Sequence, residues 1–190
     1  MRHDEAATAG FVPPPYPYDR LNRLRPITDA FDGGTVDLSV GTPFDPPPPA
    51  VVRALADSGA ERAYPPSIGT ADFRAAARRW MERRFFVDVP VDQIGASIGT
   101  KEFVGTLPQW LRLRRPDRDT VLYPAVSYPT YEMGAVLAGC RPVPVGIGAD
   151  GSLDLDSIDA ADAARALVLW TNSPSNPTGA LDDLAAAAAW

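Results

Sequence analysis

The sequence predicts an α/β fold: a mostly parallel sheet with helices on both faces. From Gln93 onward, short apolar stretches alternate with stretches of helical periodicity, the pattern of parallel strands joined by helices. The stretch from Ala166 to Thr171 is almost wholly apolar, which indicates a buried, central strand. With 190 residues, 45% of them hydrophobic, the chain can bury the core of one domain, alone or with an arm.

The part before Gln93 is predicted to hold an arm, a strand and two helices. Prolines and polar residues dominate the first 26 positions, which favours an extended arm over a helix. Pro49 suits the first turn of one helix, and Thr70 suits the N-cap of the other. The predicted elements are an extended arm over residues 1–26, a strand over 36–40, and helices over 50–58 and 70–86.

Strands and helices are predicted to alternate from Gln93 to the end. The predicted strands cover residues 94–98, 120–123, 143–147 and 166–171, and the predicted helices cover 101–113, 127–139, 153–158 and 181–190. Pro108 should bend or interrupt its helix, because it removes an amide donor and crowds the carbonyl four residues back. Ser127 is the expected N-cap of the next helix, with Pro129 in its first turn and Gly139 at its end.

Composition argues against several classes of function. A net charge of -6 and a pI near 4.7 disfavour nucleic-acid and anionic-membrane partners, which need clustered Lys and Arg. A single cysteine, Cys140, forms no internal disulfide, and a single histidine, His3, leaves no His/Cys zinc cluster, so we expect no metal site. No stretch approaches the roughly 18 apolar residues of a membrane span, and we expect a cytoplasmic protein.

The first candidate group for chemistry is Gly99, Thr100, Lys101 and Glu102, at a predicted strand-to-helix junction. Ligands of open α/β sheets gather beyond the carboxyl ends of the strands. A glycine allows close backbone approach, and the first-turn amides of the helix with the Thr100 hydroxyl suit a phosphate. An ordinary helix N-cap is the alternative interpretation.

The second candidate group lies between Pro124 and Tyr131 and includes Tyr128. An aromatic ring held at a helix N-terminus can stack on a planar heteroaromatic ligand, since aromatic quadrupoles favour offset stacking. The alternative is that Tyr128 and Tyr131 merely pack against the turn.

The third candidate group is the run from Asn172 to Gly179, directly after the most apolar strand. Its two Asn-to-Pro segments favour a rigid, non-helical loop that fixes the Asn176 amide where it can donate to a phenolic oxygen. A plain loop would also explain the prolines and the glycine, although less readily their position after this strand.

Taken in this order, the three groups resemble the class I/II aminotransferases, fold type I enzymes that use pyridoxal 5′-phosphate. The similarity extends from about Val36 to Gly179. It is greatest to actinobacterial succinyldiaminopimelate transaminases, in the segments 36–43, 98–102, 128–131 and 172–179. The resemblance implies the large domain of fold type I. It also implies transfer of an amino group between glutamate or 2-oxoglutarate and an N-succinylated amino-oxo-pimelate, in diaminopimelate and lysine biosynthesis.

The resemblance assigns four residues to the cofactor within one subunit. Thr100 and Lys101 would contact the phosphate of pyridoxal 5′-phosphate, mainly through backbone amides and the hydroxyl. Tyr128 would stack on the pyridine ring. Asn176 would hydrogen-bond the ring hydroxyl oxygen and so tune the electron sink.

Two further residues match positions of the family. Tyr64 is similar to the tyrosine that reaches the phosphate bound in the neighbouring subunit, which implies a homodimer. Gly41 is similar to the glycine whose backbone meets the substrate carboxylate. The implied partners are therefore small amino acids and oxo acids, together with a second copy of the chain.

The chain departs from the family pattern in one respect that matters for catalysis. The family needs a Schiff-base lysine downstream of the Asn run, whereas the only lysine of this sequence is Lys101, far upstream. We therefore interpret residues 1–48 as an arm and substrate-side segment and residues 49–190 as the first part of the large domain. The rest of that domain and the small domain would be absent. No catalytic residue is assigned, and the chain alone is expected to be inactive.

Two alternatives remain open at this stage. The first is another aminotransferase, or a carbon-sulfur lyase, of the same fold, because such enzymes share every motif present here. The second is a non-catalytic module that keeps the fold for ligand binding or dimerisation. Substrate profiling would separate the members of the first group, and further reading frame with a downstream lysine would argue against the second.

Overall fold

The computed structural model describes residues 16–190, so the first 15 positions of the predicted arm lie outside the described residues. The chain falls into two compact units. The sheet unit comprises residues 104–190 together with the described residues up to 35, and the helical unit comprises residues 36–103. None of the described helices has the length and apolar character that a membrane crossing needs.

Helices make up most of the regular structure in residues 16–190. The α-helices are α1 (Arg25–Asp29), α2 (Pro49–Ala56), α3 (Ala71–Phe85), α4 (Thr100–Arg114), α5 (Thr130–Leu137), α6 (Ala160–Ala164) and α7 (Leu184–Ala189). Short 3-10 helices cover Pro17–Arg23, Ala60–Arg62, Val91–Gln93 and Leu155–Ser157.

A parallel sheet forms the centre of the sheet unit. Its strands are β1 (Thr120–Pro124), β2 (Arg141–Val145) and β3 (Ala166–Leu169), in the order β2-β1-β3. Leu122 of β1 is aligned with Val143 of β2 and Leu169 of β3, and both pairings are parallel. The predicted α/β class with a parallel sheet is confirmed.

The strand predicted as central lies at an edge of the described sheet. β1 has a neighbour on each side, and its residues Thr120, Val121 and Leu122 are completely buried. All of β3 is only half-buried. The sequence predicts a central strand from Ala166, whereas in the described sheet β3 has a neighbour on one side only, because apolar content predicts burial on average but not the order of strands.

Gly134 allows α4 and α5 to pack closely in the sheet unit. A Cβ on Gly134 of α5 would lie 2.8 Å from the carbonyl oxygen of Val104 and 3.1 Å from the Cα of Gly105, both in α4. The next residue, Ala135, is completely buried and packs with Val121 of β1. These contacts fix α5, and with it the loop that joins β1 to α5.

The helix boundaries of α4 and α5 correct two predictions. α4 continues through Pro108, so the predicted interruption does not occur and only a bend stays a prediction, because the proline ring is buried and tertiary packing outweighs one missing amide bond. Ser127 does not cap α5: the N-cap position is Pro129, and the Ser127 hydroxyl donates to the carbonyl oxygen of Pro124 at 2.6 Å. Gly139 has a φ of 65° just after α5, as predicted.

Three other elements of the sheet unit differ from prediction in their bounds. β2 begins two residues before the predicted strand, at Arg141. The helix predicted after it is only the 3-10 turn Leu155–Ser157. The C-terminal helix begins at Leu184, because the side chain of Asp183 accepts hydrogen bonds from the amides that follow and so sets the N-cap.

Most of residues 17–26 are helical rather than an extended arm. Pro17 stands in the first turn of a 3-10 helix, and Pro26 stands in the first turn of α1. A proline is tolerated there because its missing amide has no helical acceptor to lose. The prediction of an extended arm over these residues was wrong because it counted prolines without regard to their position.

The helical unit contains α2 and α3 as predicted but neither predicted strand. The Thr70 hydroxyl accepts a hydrogen bond from Phe73 N at 3.2 Å and caps α3. Residues 36–40 are irregular and exposed, and residues 94–98 do not pair in a sheet. A strand needs a partner, and in the second segment Ala96 N donates instead to Ile68 O at 3.0 Å.

Candidate functional site

Two of the predicted site residues follow neighbouring strands of the sheet unit. Tyr128 lies in the loop after β1, and Asn176 lies in the loop after β3. Since β1 and β3 are adjacent and parallel, both loops leave the same edge of the sheet. Trp170 N donates to Leu122 O at 2.8 Å, which continues the pairing just past the end of β3. The structure thus brings the loops of Tyr128 and Asn176 to one edge.

The two tyrosines of the first loop have different surroundings. Tyr131 is buried, and its ring centroid lies 5.4 Å from that of Trp170. Burial also raises the pKa of Tyr131, so its hydroxyl stays protonated at neutral pH. Tyr128 is half-buried, and its carbonyl oxygen accepts from Tyr131 N at 3.2 Å. The packing interpretation therefore holds for Tyr131, while Tyr128 keeps part of its surface available to a ligand.

The Asn172–Gly179 run forms a tight loop bonded to itself. Ser175 N donates to Ala180 O at 2.8 Å, and Gly179 N donates to Ser175 O at 2.7 Å. With its amide oriented to satisfy both of its neighbours, Asn172 accepts from Asn176 N at 3.0 Å. Asn176 itself is exposed. The predicted non-helical loop is thus present, and Asn176 is at its surface.

The predicted phosphate cradle is the start of α4. α4 begins at Thr100, and Gly99 O accepts the first bond of this segment, from Phe103 N at 3.2 Å. No heavy atom lies within 4 Å of the position that a Cβ of Gly99 would occupy, so the approach to the backbone is open. The aligned peptide dipoles of a 15-residue helix favour an anion at this end.

Tyr64 and Gly41 lie in irregular segments of the helical unit. The side chain of Tyr64 is fully exposed. Gly41 is also exposed, and no heavy atom lies within 4 Å of its would-be Cβ. The roles of these two residues rest on sequence resemblance and stay predictions.

The predicted site residues therefore divide between the two units. Tyr128 and Asn176 belong to the sheet unit, whereas Gly41, Tyr64, Thr100 and Lys101 belong to the helical unit. Their chemistry fits pyridoxal 5′-phosphate: an open helix N-terminus suits the phosphate, a part-exposed tyrosine suits the ring, and an exposed amide suits the ring hydroxyl. These residues suit binding of the cofactor but not catalysis. The family needs a Schiff-base lysine downstream of the Asn run, and the single lysine of the sequence is Lys101.

Sequence reasoning missed one residue that shapes this region, Asp182. Its carboxylate accepts hydrogen bonds from Thr171 and Leu153, and its amide donates to Ser173. The sequence places Asp182 inside the predicted helix 181–190, whereas the structure begins that helix at Leu184 with Asp183 as its N-cap. Because Leu153 is 29 residues away, no local signal could have revealed the contact.

A hollow of about 390 Å³ in the sheet unit lies apart from the predicted residues. Four aspartates contribute to its wall: Asp154, Asp156, Asp182 and Asp183. Neither Tyr128 nor Asn176 is among the lining residues. An acidic wall disfavours a phosphorylated ligand, so we do not assign the cofactor to this hollow.

Sequence comparison identifies relatives over most of the chain. The profile of the family "Aminotransferase class I and II" matches residues 34–187. An LL-diaminopimelate aminotransferase of Trichormus variabilis is 36% identical over 90% of this chain and 45% of its own length. The 4-dedimethylamino-4-oxo-anhydrotetracycline transaminase of Streptomyces rimosus is 37% identical over 87% of this chain and 43% of its own. The chain thus spans less than half the length of these relatives.

Comparison with solved structures also identifies aminotransferases. An aminotransferase from Neisseria meningitidis superposes with a TM-score of 0.80 at 26% identity, over 88% of this chain and 44% of that one. A probable N-succinyldiaminopimelate aminotransferase from Thermus thermophilus gives 0.69 at 32% identity, with the same coverage of 88% and 44%. These are pyridoxal-phosphate-dependent enzymes of fold type I. The sequence match, the parallel sheet and the loops at its edge agree, and the chain belongs to the class I and II aminotransferases.

Proposed function

We propose that this chain supplies cofactor-binding residues of a transaminase acting in diaminopimelate and lysine biosynthesis. The reaction would move an amino group between glutamate or 2-oxoglutarate and an N-succinylated amino-oxo-pimelate. The observation that carries the proposal is the shared sheet edge of the loops of Tyr128 and Asn176, two residue types that suit one flat ring with a hydroxyl group.

Each proposed contact has a separate task. The start of α4 and the Thr100 hydroxyl hold the phosphate, and the backbone of Lys101 adds to this anchor. Tyr128 stacks on the pyridine ring and sets its plane. The Asn176 amide donates to the phenolic oxygen, which orients the ring and stabilises negative charge on that oxygen. When bound, pyridoxal 5′-phosphate supplies the electron sink for the reaction at the α-carbon of the amino acid.

Lys101 is proposed to position the cofactor rather than to move a proton. A general base must reach the α-proton of the substrate, and Lys101 stands in the first turn of α4, beside the proposed phosphate site. The 190 residues hold no other lysine. We therefore expect that this polypeptide binds the cofactor and yet shows no turnover with glutamate and an oxo acid.

The relatives support the choice of substrate. One is named for LL-diaminopimelate and one solved structure for N-succinyldiaminopimelate, at 36% and 32% identity. A second candidate substrate class comes from the tetracycline transaminase, which is 37% identical. Both candidates require the same cofactor contacts, so the substrate is a separate question from the site.

We also propose a homodimer in which Tyr64 reaches the phosphate of the neighbouring subunit and the Gly41 backbone meets the substrate carboxylate. The full exposure of Tyr64 and the open surroundings of Gly41 leave both residues accessible. Sedimentation of the protein with and without cofactor tests the assembly. A strictly monomeric protein that binds the cofactor with unchanged affinity after Tyr64→Phe would contradict this part.

Cofactor binding is tested first, by absorbance titration of the 190-residue chain with pyridoxal 5′-phosphate. Asn176→Ala should weaken binding about tenfold, the effect of losing one hydrogen bond to a charged group. Asn172→Ala is the matched control for a change in loop shape. It removes hydrogen bonds within the loop but keeps the Asn176 side chain. Equal affinity of wild type and Asn176→Ala would overturn the proposed role.

Substrate choice is tested on a protein in which these 190 residues are extended to the length of the relatives. With glutamate as donor, kcat/KM should be higher for the N-succinylated amino-oxo-pimelate than for the unsubstituted acceptor. The reverse order would transfer the assignment to an enzyme that uses free diaminopimelate. Activity on a polycyclic ketone alone would favour the tetracycline-type alternative.

A further inference from the structure

Asp182 joins three segments of the sheet unit. Its Oδ2 accepts a hydrogen bond from Thr171 Oγ1 at 2.8 Å, and its Oδ1 accepts one from Leu153 N at 2.9 Å. Its own N donates to Ser173 Oγ at 3.0 Å. A single half-buried residue therefore ties the chain after β3 to the chain before α7 and to the segment at Leu153.

These bonds close the base of the Asn172–Gly179 loop. Thr171 and Ser173 stand at its start, and Asp182 stands just beyond its end. A second connection lies higher in the loop, where Ser175 N donates to Ala180 O at 2.8 Å. Asn176 at the tip is exposed, so packing contributes little to its position. The hydrogen bonds at the base act together with those inside the loop to restrict where Asn176 can be.

We propose that Asp182 is a positioning residue, whose carboxylate fixes the Asn172–Gly179 loop so that Asn176 meets the phenolic oxygen of the cofactor. The cofactor part of this inference rests on the proposed function, whereas the effect on the loop does not. Asp182 acts through Asn176 and not by contact with the cofactor. An exposed loop held by charge-assisted bonds at its base loses order when those bonds are removed.

The chemistry of the three partners dictates which substitutions are informative. A carboxylate accepts from both the Leu153 amide and the Thr171 hydroxyl. Asp182→Asn can still accept from the amide and can donate to the hydroxyl oxygen, so it should largely rescue the loop. Asp182→Ala loses both bonds, and Thr171→Val loses one while keeping the shape of the side chain.

The first test measures the loop without any cofactor, by amide hydrogen exchange in the 190-residue chain. Asp182→Ala should speed exchange at Ser175 and Gly179 by about tenfold or more, with Leu122 in β1 unchanged. The matched control is Asp183→Ala, which removes the cap of α7 and should affect only the amides of Ala185 and Ala186. Unchanged exchange at Ser175 and Gly179 in Asp182→Ala would overturn the proposal.

The second test is a double-mutant cycle on the affinity for pyridoxal 5′-phosphate. If Asp182 acts through Asn176, each single alanine variant should raise Kd about tenfold and the double variant no further. Additive losses, about a hundredfold together, would overturn the proposal, since Asp182 would then act independently of Asn176. Thr171→Val should give an intermediate loss of affinity. This variant provides the test if Asp182→Ala folds poorly.

The two tests separate this inference from the proposed function. A wild-type chain that binds no pyridoxal 5′-phosphate would contradict the proposed function, and the exchange measurement would still decide whether Asp182 orders the loop. Normal binding by wild type together with unaltered affinity in Asp182→Ala would contradict the inference alone. Recovery of affinity in Asp182→Asn supports it, because a merely space-filling role would not distinguish Asn from Ala.

Discussion

The sheet unit and the helical unit present their candidate site residues in different ways. In the sheet unit, the loops of Tyr128 and Asn176 follow strands packed around the completely buried Val121 and Leu122. In the described helical unit, Ile94 and Gly69 are the buried residues, and the start of α4 is exposed. The comparison teaches that a buried parallel sheet fixes the strand ends from which its loops leave, whereas the start of α4 in the helical unit is exposed.

Truncation of a side chain should reveal the largest difference in stability between the two units. Leu122→Ala removes a completely buried side chain and should lower the free energy of unfolding by about 2–5 kcal/mol. Leu55→Ala, in α2, trims a side chain that is 74% exposed and should cost less than about 0.5 kcal/mol. Denaturant unfolding followed by circular dichroism measures both. Equal losses would mean that the sheet is not the main source of stability.

Glycine substitution distinguishes packing from ligand access. Gly134→Ala would place a Cβ 2.8 Å from the backbone of α4, and overpacking of this kind costs about 1–3 kcal/mol. Gly99→Ala meets no atom within 4 Å and should leave the free energy of unfolding nearly unchanged while weakening cofactor binding. Thermal melts and cofactor titrations of both variants provide the comparison. A stability loss in Gly99→Ala as large as that in Gly134→Ala would contradict the predicted difference between the two glycines.

Removal of a cap should act locally in the helical unit. Thr70→Ala deletes the hydroxyl that accepts from Phe73 N and should destabilise α3 by about 1 kcal/mol. Thr70→Ser keeps the acceptor and is the matched control. Hydrogen exchange should increase at the Phe73 amide and remain unchanged in β1. Faster exchange in β1 would show that the two units unfold together.

Acid should weaken the sheet unit through Asp119. Arg165 donates to Asp119 Oδ1 at 2.8 Å, and this hydrogen bond holds the pKa of the carboxyl below its usual range. Because the folded pKa is the lower one, the stabilisation is complete above about pH 4 and is lost as the pH falls through the folded pKa. Asp119→Asn should therefore flatten the acid side of a plot of Tm against pH. An identical acid slope in the variant would contradict this.

The features that the sequence predicted well are those decided by neighbouring residues. Thr70 caps α3, Pro49 opens α2 and Gly139 follows α5, because each depends on backbone geometry within one turn. The order of the strands and the absence of pairing at 36–40 depend on partners distant in the chain. No periodicity within a segment contains that information.

The candidate site shows the same division. The position of the loops of Asn176 and Tyr128 at one edge was predictable because short motifs follow apolar strands of a parallel sheet, while the roles of the two side chains stay predictions. Asp182 was not predictable, since its role comes from a hydrogen bond to a residue 29 positions away. From the sequence alone, Tyr131 could either contact a ligand or pack against the turn. Only its burial against Trp170 assigned it to packing.

The most direct measurement of the central claim is an NMR titration of the 190-residue chain with pyridoxal 5′-phosphate. We predict that the backbone amides of Thr100, Lys101 and Tyr128 and the side-chain amide of Asn176 shift together, with a single Kd. Shifts confined to the acidic hollow around Asp154 and Asp156, or no shifts at all, would contradict it.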